Sequence, residues 1–381
     1  MEILYVFPEP LPLPRARGIQ VVHTVVALAA EGLHVRLAHV PAPKHGDPFA
    51  AYGLSRPAGI DTLPISRRLP FPLSLLPVKS NRLFLRRLVR YLRGSQKSGL
   101  APELIMARHL KAASALLKAF PDIPLLYEAH EVFSDVAPAR KRERVYAMES
   151  RVLRHAKTIV AISGRVAHDL LSRYGLKREI QVLHDGVALP PTVPDKAWHE
   201  AGRHIVYAGS FFDWKGVDDL VAAAAGLPGC RITLIGGDAE HVQRLQRQAP
   251  KNGAEIHFTG YLPHARVAES LETSCIAVLP NRNHPNSQWT SPLKLFEYMA
   301  AGCAIVTTDL PSLREILGPD DAVWVRPDDP LALAAGIHAL ADDPEKAKTL
   351  GVRARARAQN YTWEARARRL AEIMRGALQT P

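Results

Sequence analysis

Cysteine is scarce in this chain, with three among 381 residues, Cys230, Cys275 and Cys303, all in apolar stretches of the second half. An odd, scattered set makes neither a disulfide framework nor the spaced ligand pairs of a metal site, and a reducing cytoplasm is the expected compartment. Long hydrophobic runs are missing too. No apolar stretch reaches the ~18 residues that a membrane-crossing helix needs, and MEILYVFPEP carries no basic residue ahead of its apolar run, so it reads as a strand and not as a secretory leader. No Asp-x-Asp occurs anywhere, which leaves a carboxylate-held divalent ion without an obvious home. Negative charge is absent from 62 to 102, a stretch that holds Arg67, Arg68, Lys79, Arg82, Arg86, Arg87, Arg90, Arg93 and Lys97.

What is present is a chain longer than one core usually supports, so two domains are expected. The net charge of +12 is concentrated in one of them: residues 1–190 hold 28 Lys+Arg against 15 Asp+Glu, and the remainder 21 against 22. Such asymmetry points to a polyanionic partner for the first half. Aromatic residues are not interleaved with the arginines as stacking platforms, which argues against nucleic acid. From 81 to 93, helical spacing puts Leu85, Leu88 and Leu92 on one side, flanked by Phe84, Val89 and Tyr91, and Arg82, Arg86, Arg90 and Arg93 on the other. The 62–102 stretch is therefore expected to rest on an anionic membrane surface, or else to pack on its own domain with a solvated basic face.

Short β-branched runs alternate with helical patterns throughout, which predicts parallel sheets wrapped by helices. Strands are expected at 2–7, 34–40, 104–107, 125–128, 158–162 and 180–183, and helices at 19–31 and 142–155. Residues 189–200, LPPTVPDKAWHE, have no usable periodicity and read as a linker or hinge. The alternation then restarts, with strands at 204–207, 231–235, 255–258, 276–279, 304–307 and 322–325 and a helix at 217–225. The expected domains are 1–190 and 201–361, and a basic helix at 362–376 within 362–381 either terminates the second or returns to complete the first. Ligands of such sheets bind beyond the carboxyl ends of the strands, where this chain places Gly209-Ser210, Gly236-Gly237-Asp238 and Gly260-Tyr261.

One segment suits an anion. In SPLKLFEYMAAG, residues 291–302, Ser291 is a favoured N-cap and Pro292 a favoured first helical residue. The N–H groups of that first turn face forward with the positive end of the helix dipole, and Lys294 can add a full charge. Glu297, three residues on, shares its face and could accept two ribose hydroxyls. The same residues also make an ordinary capped helix with an i,i+3 Lys–Glu pair.

The run SPLKLFEYMAAGCAIVTTDLPSLREIL resembles the donor-binding signature of the retaining GT-B glycosyltransferases of glycosyltransferase family 4. YAGSFFDWKGVDDL at 207–220 is similar to the phosphate loop of that family, and FTGYLPHARVAESLETSCIAVLP at 258–280 to the segment that frames the base. YEAHE at 127–131, TIVAISGRVAHDLLSRYG at 158–175 and Trp363 in YTWEARARRLAEI resemble its first domain and closing helix. The resemblance implies an α/β protein of GT-B architecture, two Rossmann-like domains facing each other across a cleft, with the last helix crossing back to the first. It implies a metal-independent hexosyltransferase, with no cofactor, that moves a sugar from a UDP- or GDP-linked donor to a hydroxyl. The acceptor would be a lipid-linked or polysaccharide glycan of the cell envelope, at the cytoplasmic face of the membrane. The first domain would bind the acceptor and the second the donor.

By the same resemblance His130, Lys215 and Glu297 are the catalytic residues, and Gly18, Gly209, Ser210, Lys215, Ser291, Pro292, Leu293 and Lys294 bind the donor phosphates. Tyr261, Leu262 and Glu297 take the base and ribose. His130 would meet the donor sugar as the domains close about 189–200. Two departures stand out: Trp289 replaces the first of the two glutamates that the family spaces eight apart, and Ser210 stands where an arginine often follows the glycine. They leave open a catalytically weak nucleotide-sugar-binding regulator of the same fold.

Overall fold

A computed structural model describes every residue except Pro14, 43–46, 69–80, 193–195, Thr290 and 380–381. Lys79 and the middle of the basic stretch, with part of the expected linker, therefore lie outside the described residues. The chain forms two compact units, Met1–His184 with Trp363–Pro381, and Asp185–Thr362.

The first unit holds a seven-stranded sheet in the order β3-β2-β1-β4-β5-β6-β7, every pair parallel. The strands are β1 Glu2–Leu11, β2 His34–Pro41, β3 Ile60–Pro64, β4 Leu104–Ala107, β5 Leu125–Ala129, β6 Thr158–Ala161 and β7 Gln181–Val182. β1, β4 and β5 are buried on both faces and so read as continuous apolar runs. The sequence reading missed β3, whose Ile60-Asp-Thr-Leu-Pro64 ends in a proline and lies between prolines and glycines. It occupies the edge of the sheet, where proline is tolerated.

The C-terminal helix, Trp363–Gln379, joins this first unit as expected. It packs on the helix Ala16–Ala30, and Trp363 stacks on His23 with ring centroids 5.2 Å apart.

The helix Asn81–Lys97 buries Phe84, Leu88 and Leu92 completely and exposes Arg82, Arg86, Arg90 and Arg93. Phe84 thus belongs to the apolar stripe and Leu85 to its margin, the reverse of the sequence reading. With that stripe packed inward, the arginines are offered outward together with Tyr91, which is 38% exposed. Arg87 turns back to donate to the Ser66 carbonyl at 2.7 Å.

The second unit is a six-stranded parallel sheet in the order β10-β9-β8-β11-β12-β13. Its strands are β8 His204–Ala208, β9 Arg231–Ile235, β10 Glu255–Gly260, β11 Ile276–Leu279, β12 Ala304–Thr308 and β13 Val323–Val325. One face of the sheet packs Ile205, Tyr207, Ile232, Leu234, Ile276 and Val278 into one core; the other packs Val206, Ala208, Ala277, Leu279 and Ile305 against Leu295, Phe296 and Met299. The strand order reverses between β8 and β11, so the loops leaving those two strands diverge and leave a crevice at their carboxyl ends.

The 189–200 segment is not free-standing. Val187 bridges to Thr362, the Pro190 carbonyl accepts from Arg355, and the buried Lys196 ammonium donates to the carbonyls of Leu271, Glu272 and Ser274 at 2.6–3.0 Å. Those carbonyls end the helix His264–Thr273, where a cation meets the negative end of the dipole. The described residues Pro190 and Lys196 are thus tied to the second unit.

Candidate functional site

The β11 side of the crevice carries the helix Leu293–Ala300, which is amphipathic toward the sheet through Leu295, Phe296 and Met299. It ends in a Schellman motif: Gly302, at φ +65°, donates to the Met299 carbonyl and Cys303 to the Tyr298 carbonyl. Its start differs from the sequence reading. Pro292 is the N-cap, extended at φ −78° and ψ 110°, and Ser291 lies outside the helix, its Oγ accepting from the Asp185 N–H at 3.1 Å. Leu293 and Lys294 then become the first two helical residues, whose N–H groups have no partner within the helix.

Lys294 is the anomaly of this unit. It is buried, its ammonium has no hydrogen-bond partner, and it rests 3.9 Å over the Tyr207 ring at the end of β8. Burial and then the neighbouring Lys215 charge push it well below the usual lysine range, and Glu297 only partly offsets them. Gly209 lies against it at a backbone φ of +148°, a conformation that side-chain-bearing residues rarely adopt. Tyr207 is held by its hydroxyl, which donates to the Ser210 carbonyl at 2.8 Å.

From β8 the chain makes a tight turn, Asp213–Lys215, and passes through Gly216 at φ +67° into the helix Val217–Ala223. Lys215 lies 3.7 Å over the Trp214 ring, and burial lowers its ammonium to about 7. Two ammonium groups, both lowered by burial and Lys294 further by the Lys215 charge, thus meet where the loops of β8 and β11 diverge. Such an arrangement is unfavourable until an anion enters it.

Glu297 lies on the same helix as Lys294 but turns elsewhere. Its Oε1 is 2.9 Å from Nε2 of His264, the first residue of the helix that follows β10. The bond to Glu297 raises the His264 pKa against the opposing effect of burial. His264 closes the Gly260–Pro263 loop, in which Tyr261 is 66% exposed and Leu262 packs against the core below the helix Leu293–Ala300. The structure therefore brings Gly209, Ser210, Lys215, Pro292, Leu293, Lys294, Glu297, Tyr261 and Leu262 to one end of one sheet, and sequence reading missed His264.

Gly18 and His130 belong to the first unit. Gly18 lies inside the helix Ala16–Ala30, and a Cβ there would meet the Leu13 carbonyl at 2.3 Å and the Tyr52 hydroxyl at 2.6 Å. The chain's own loop therefore packs against this glycine.

His130 follows β5 directly. Arg108 can only donate, so its contact at 3.0 Å makes Nδ1 of His130 the acceptor and leaves the proton on Nε2, 3.3 Å from Oε2 of Glu128. Burial and the Arg108 charge bring His130 down to about 4, so the ring is neutral at physiological pH. Burial would raise the Glu128 carboxyl, but Arg366, His130 and Arg108 outweigh it and hold it well below the usual range. Oε1 accepts from Gln20 at 3.0 Å and from Arg366, which also donates to the His184 carbonyl at 3.0 Å and the Thr24 hydroxyl at 3.2 Å. Arg366, on the returning C-terminal helix, gave no local sign of this role.

Among the described residues, no three His, Cys, Asp or Glu side chains gather where they could hold a metal ion.

Two family models match the chain in order: Glycosyltransferase Family 4 over residues 18–189 and Glycosyl transferases group 1 over residues 202–343. A glycogen synthase of Mycobacterium tuberculosis is 28% identical over 279 residues, an alignment that takes in 68% of this chain and 64% of the relative; the chain spans just under two thirds of that relative's length. Among solved structures, the sucrose-phosphate synthase of Thermosynechococcus elongatus superposes with a TM-score of 0.76 at 21% identity, covering 100% of this chain and 99% of that one. The Anabaena protein HepE, solved with UDP-glucose, does so with a TM-score of 0.71 at 16% identity, covering 98% and 99%. With two parallel-sheet units in this order and both family models matched along them, the chain belongs to glycosyltransferase family 4, the group 1 glycosyl transferases, and has their GT-B fold.

Proposed function

We propose that this protein transfers a sugar from a UDP- or GDP-linked donor to a glycan hydroxyl with retention of anomeric configuration and without a divalent ion. The observation that carries the reading is the partnerless, buried Lys294 ammonium, with Lys215 beside it, at the carboxyl ends of β8 and β11. A diphosphate placed there would meet two ammonium groups and the N–H groups of Leu293 and Lys294. Charge builds on that group as the glycosidic bond opens, so these contacts strengthen toward the transition state.

In the proposed reaction the bond between the anomeric carbon and the phosphate oxygen breaks, and the nucleoside diphosphate keeps the electron pair. The acceptor oxygen bonds to the same face of that carbon, and its proton passes to a phosphate oxygen of the leaving group. Glu297 accepts the ribose hydroxyls, and the backbone of Tyr261 and Leu262 borders the base. His130, neutral and with its ring nitrogens turned to Arg108 and Glu128, is not an acid in this scheme. The glutamate that the family would set on the sugar ring is replaced by Trp289, so the ring must be held by other groups.

The similarity to the mannosyltransferase of Mycolicibacterium smegmatis named for phosphatidyl-myo-inositol, 27% identical over 236 residues, supports a lipid-linked acceptor. No helix among the described residues is long and apolar enough to cross a membrane. Attachment would be peripheral, through the arginine face of the helix Asn81–Lys97.

The test is titration of the purified protein with nucleoside diphosphates and their sugars, followed by NMR of the product formed with a glycan acceptor. Tight binding with slow donor loss and no transfer would favour a regulatory binding protein; no binding of any nucleoside diphosphate would end both readings.

A further inference from the structure

Lys294 and Glu297 are three residues apart on one helix face, the spacing at which opposite charges normally pair. They do not pair here. The Lys294 ammonium is buried without a partner, while Glu297, its side chain 20% exposed, gives Oε1 to His264. His264 comes from a different strand's loop. It follows Pro263, whose extended backbone at φ −58° and ψ 148° caps the helix His264–Thr273, and Leu262 is anchored in the core. The imidazole is thus delivered to Glu297 from a fixed point.

We propose that His264 is a positioning residue for nucleotide recognition: by holding Oε1 of Glu297 at 2.9 Å it turns the carboxylate toward the ribose and keeps it off Lys294, whose ammonium stays available to the diphosphate. The inference rests on the reading of Glu297 as the ribose acceptor. A vicinal diol needs a carboxylate whose plane is set, and a glutamate on a helix surface has several rotamers of similar energy. The bond to His264 selects one of them. Without it, Glu297 is free to swing along its own helix and neutralise Lys294, which would remove a ribose acceptor and a phosphate donor in one movement. The raised His264 pKa agrees with a bond strong enough to do this. His264 touches neither the phosphates nor the reacting carbon in this scheme.

The experiment measures dissociation constants of UDP, GDP, their 2′-deoxy forms and inorganic pyrophosphate for the wild type, His264→Ala, His264→Gln and Glu297→Ala. Thermal melts confirm that each variant is folded; His264 is 47% exposed and its loss leaves no cavity in the core. The wild type is expected to prefer ribose over 2′-deoxyribose by about tenfold, the worth of one charge-assisted hydrogen bond. His264→Ala is expected to lose most of that preference and also to weaken pyrophosphate, while His264→Gln, which keeps an N–H donor, recovers part of both. Glu297→Ala is expected to lose the preference and bind pyrophosphate at least as well as the wild type. If His264→Ala keeps both the preference and the pyrophosphate affinity while Glu297→Ala loses the preference, the inference is overturned and the ribose reading of Glu297 stands. If Glu297→Ala keeps the preference, the ribose reading falls and the inference goes with it.

Discussion

Binding of a diphosphate to this protein is expected to draw protons from solution. Burial lowers the Lys215 ammonium to about 7, so at pH 8 only roughly a tenth of the free protein carries that charge. An anion seated against it restores the charge, which means that ~0.9 proton is taken up per ligand bound at pH 8. The terminal phosphate of the ligand titrates near 6 and is fully ionised above neutrality, so its own charge is constant there. Apparent affinity then falls about 50-fold between pH 7 and pH 9, or ~2.3 kcal/mol. Lys294, also pushed down, adds to the uptake in the same direction. Calorimetry in two buffers of different ionisation enthalpy counts the protons directly. Lys215→Arg cannot lose its charge in this range and should show a smaller uptake and a flatter pH profile. The free protein should show the opposite trend in stability: between about 7 and 10.5 the unfolded chain holds more protons at this residue than the folded one, so stability rises with pH through that window. An uptake near zero at pH 8, with affinity level from pH 7 to pH 9, would refute the reasoning.

Lys294→Met removes a buried, unpartnered ammonium, so it should raise stability to urea by about 1–3 kcal/mol while weakening nucleoside diphosphates by ~10–100-fold; a variant that loses both would show Lys294 to be structural. Glu297→Ala and Lys215→Ala should each lower transfer by on the order of a hundredfold at unchanged circular dichroism, and wild-type rates in either would contradict their roles. Arg366→Met strips the buried Glu128 of its counter-ion and should cost about 3–5 kcal/mol, much of it recovered in the double variant with Glu128→Gln; urea unfolding separates the two. Replacing Arg82, Arg86, Arg90 and Arg93 together by Gln should abolish low-salt flotation with anionic liposomes, at about 1 kcal/mol per arginine, and wild-type protein that never floats would end the membrane reading.

The fold was largely legible because a parallel sheet covered on both faces must be apolar along every strand, and runs such as 204–207 and 276–279 have no other use. Where the physics offered two signals, the sequence reading chose the wrong one. Proline's preference for the first helical position puts Pro292 inside the helix, yet Ser291 lies outside it, bonded by the Asp185 N–H, and Pro292 is the cap. β3 was hidden by the prolines that its edge position tolerates. In 189–200 the same residue type suggested a hinge, and nothing local showed that Lys196 would end at the carbonyls of a helix 75 residues on.

The candidate site divides along the same line. Lys294 could be found from the sequence because it follows Ser291-Pro292 at a helix start, and Lys215 only through the family resemblance; the strand order then places both beside the point where it reverses. What keeps their charges unspent could not. His264 meets Glu297 only because β10, at the far edge of the sheet, sends its helix back across β9 toward β8. Arg366 meets Glu128 only because the chain returns to its first unit after completing its second. Local spacing favours the Lys294–Glu297 pair, and tertiary structure spends a histidine to prevent it. An unsatisfied ammonium in a folded protein raises its free energy, and on the function proposed above that cost is recovered when an anion binds.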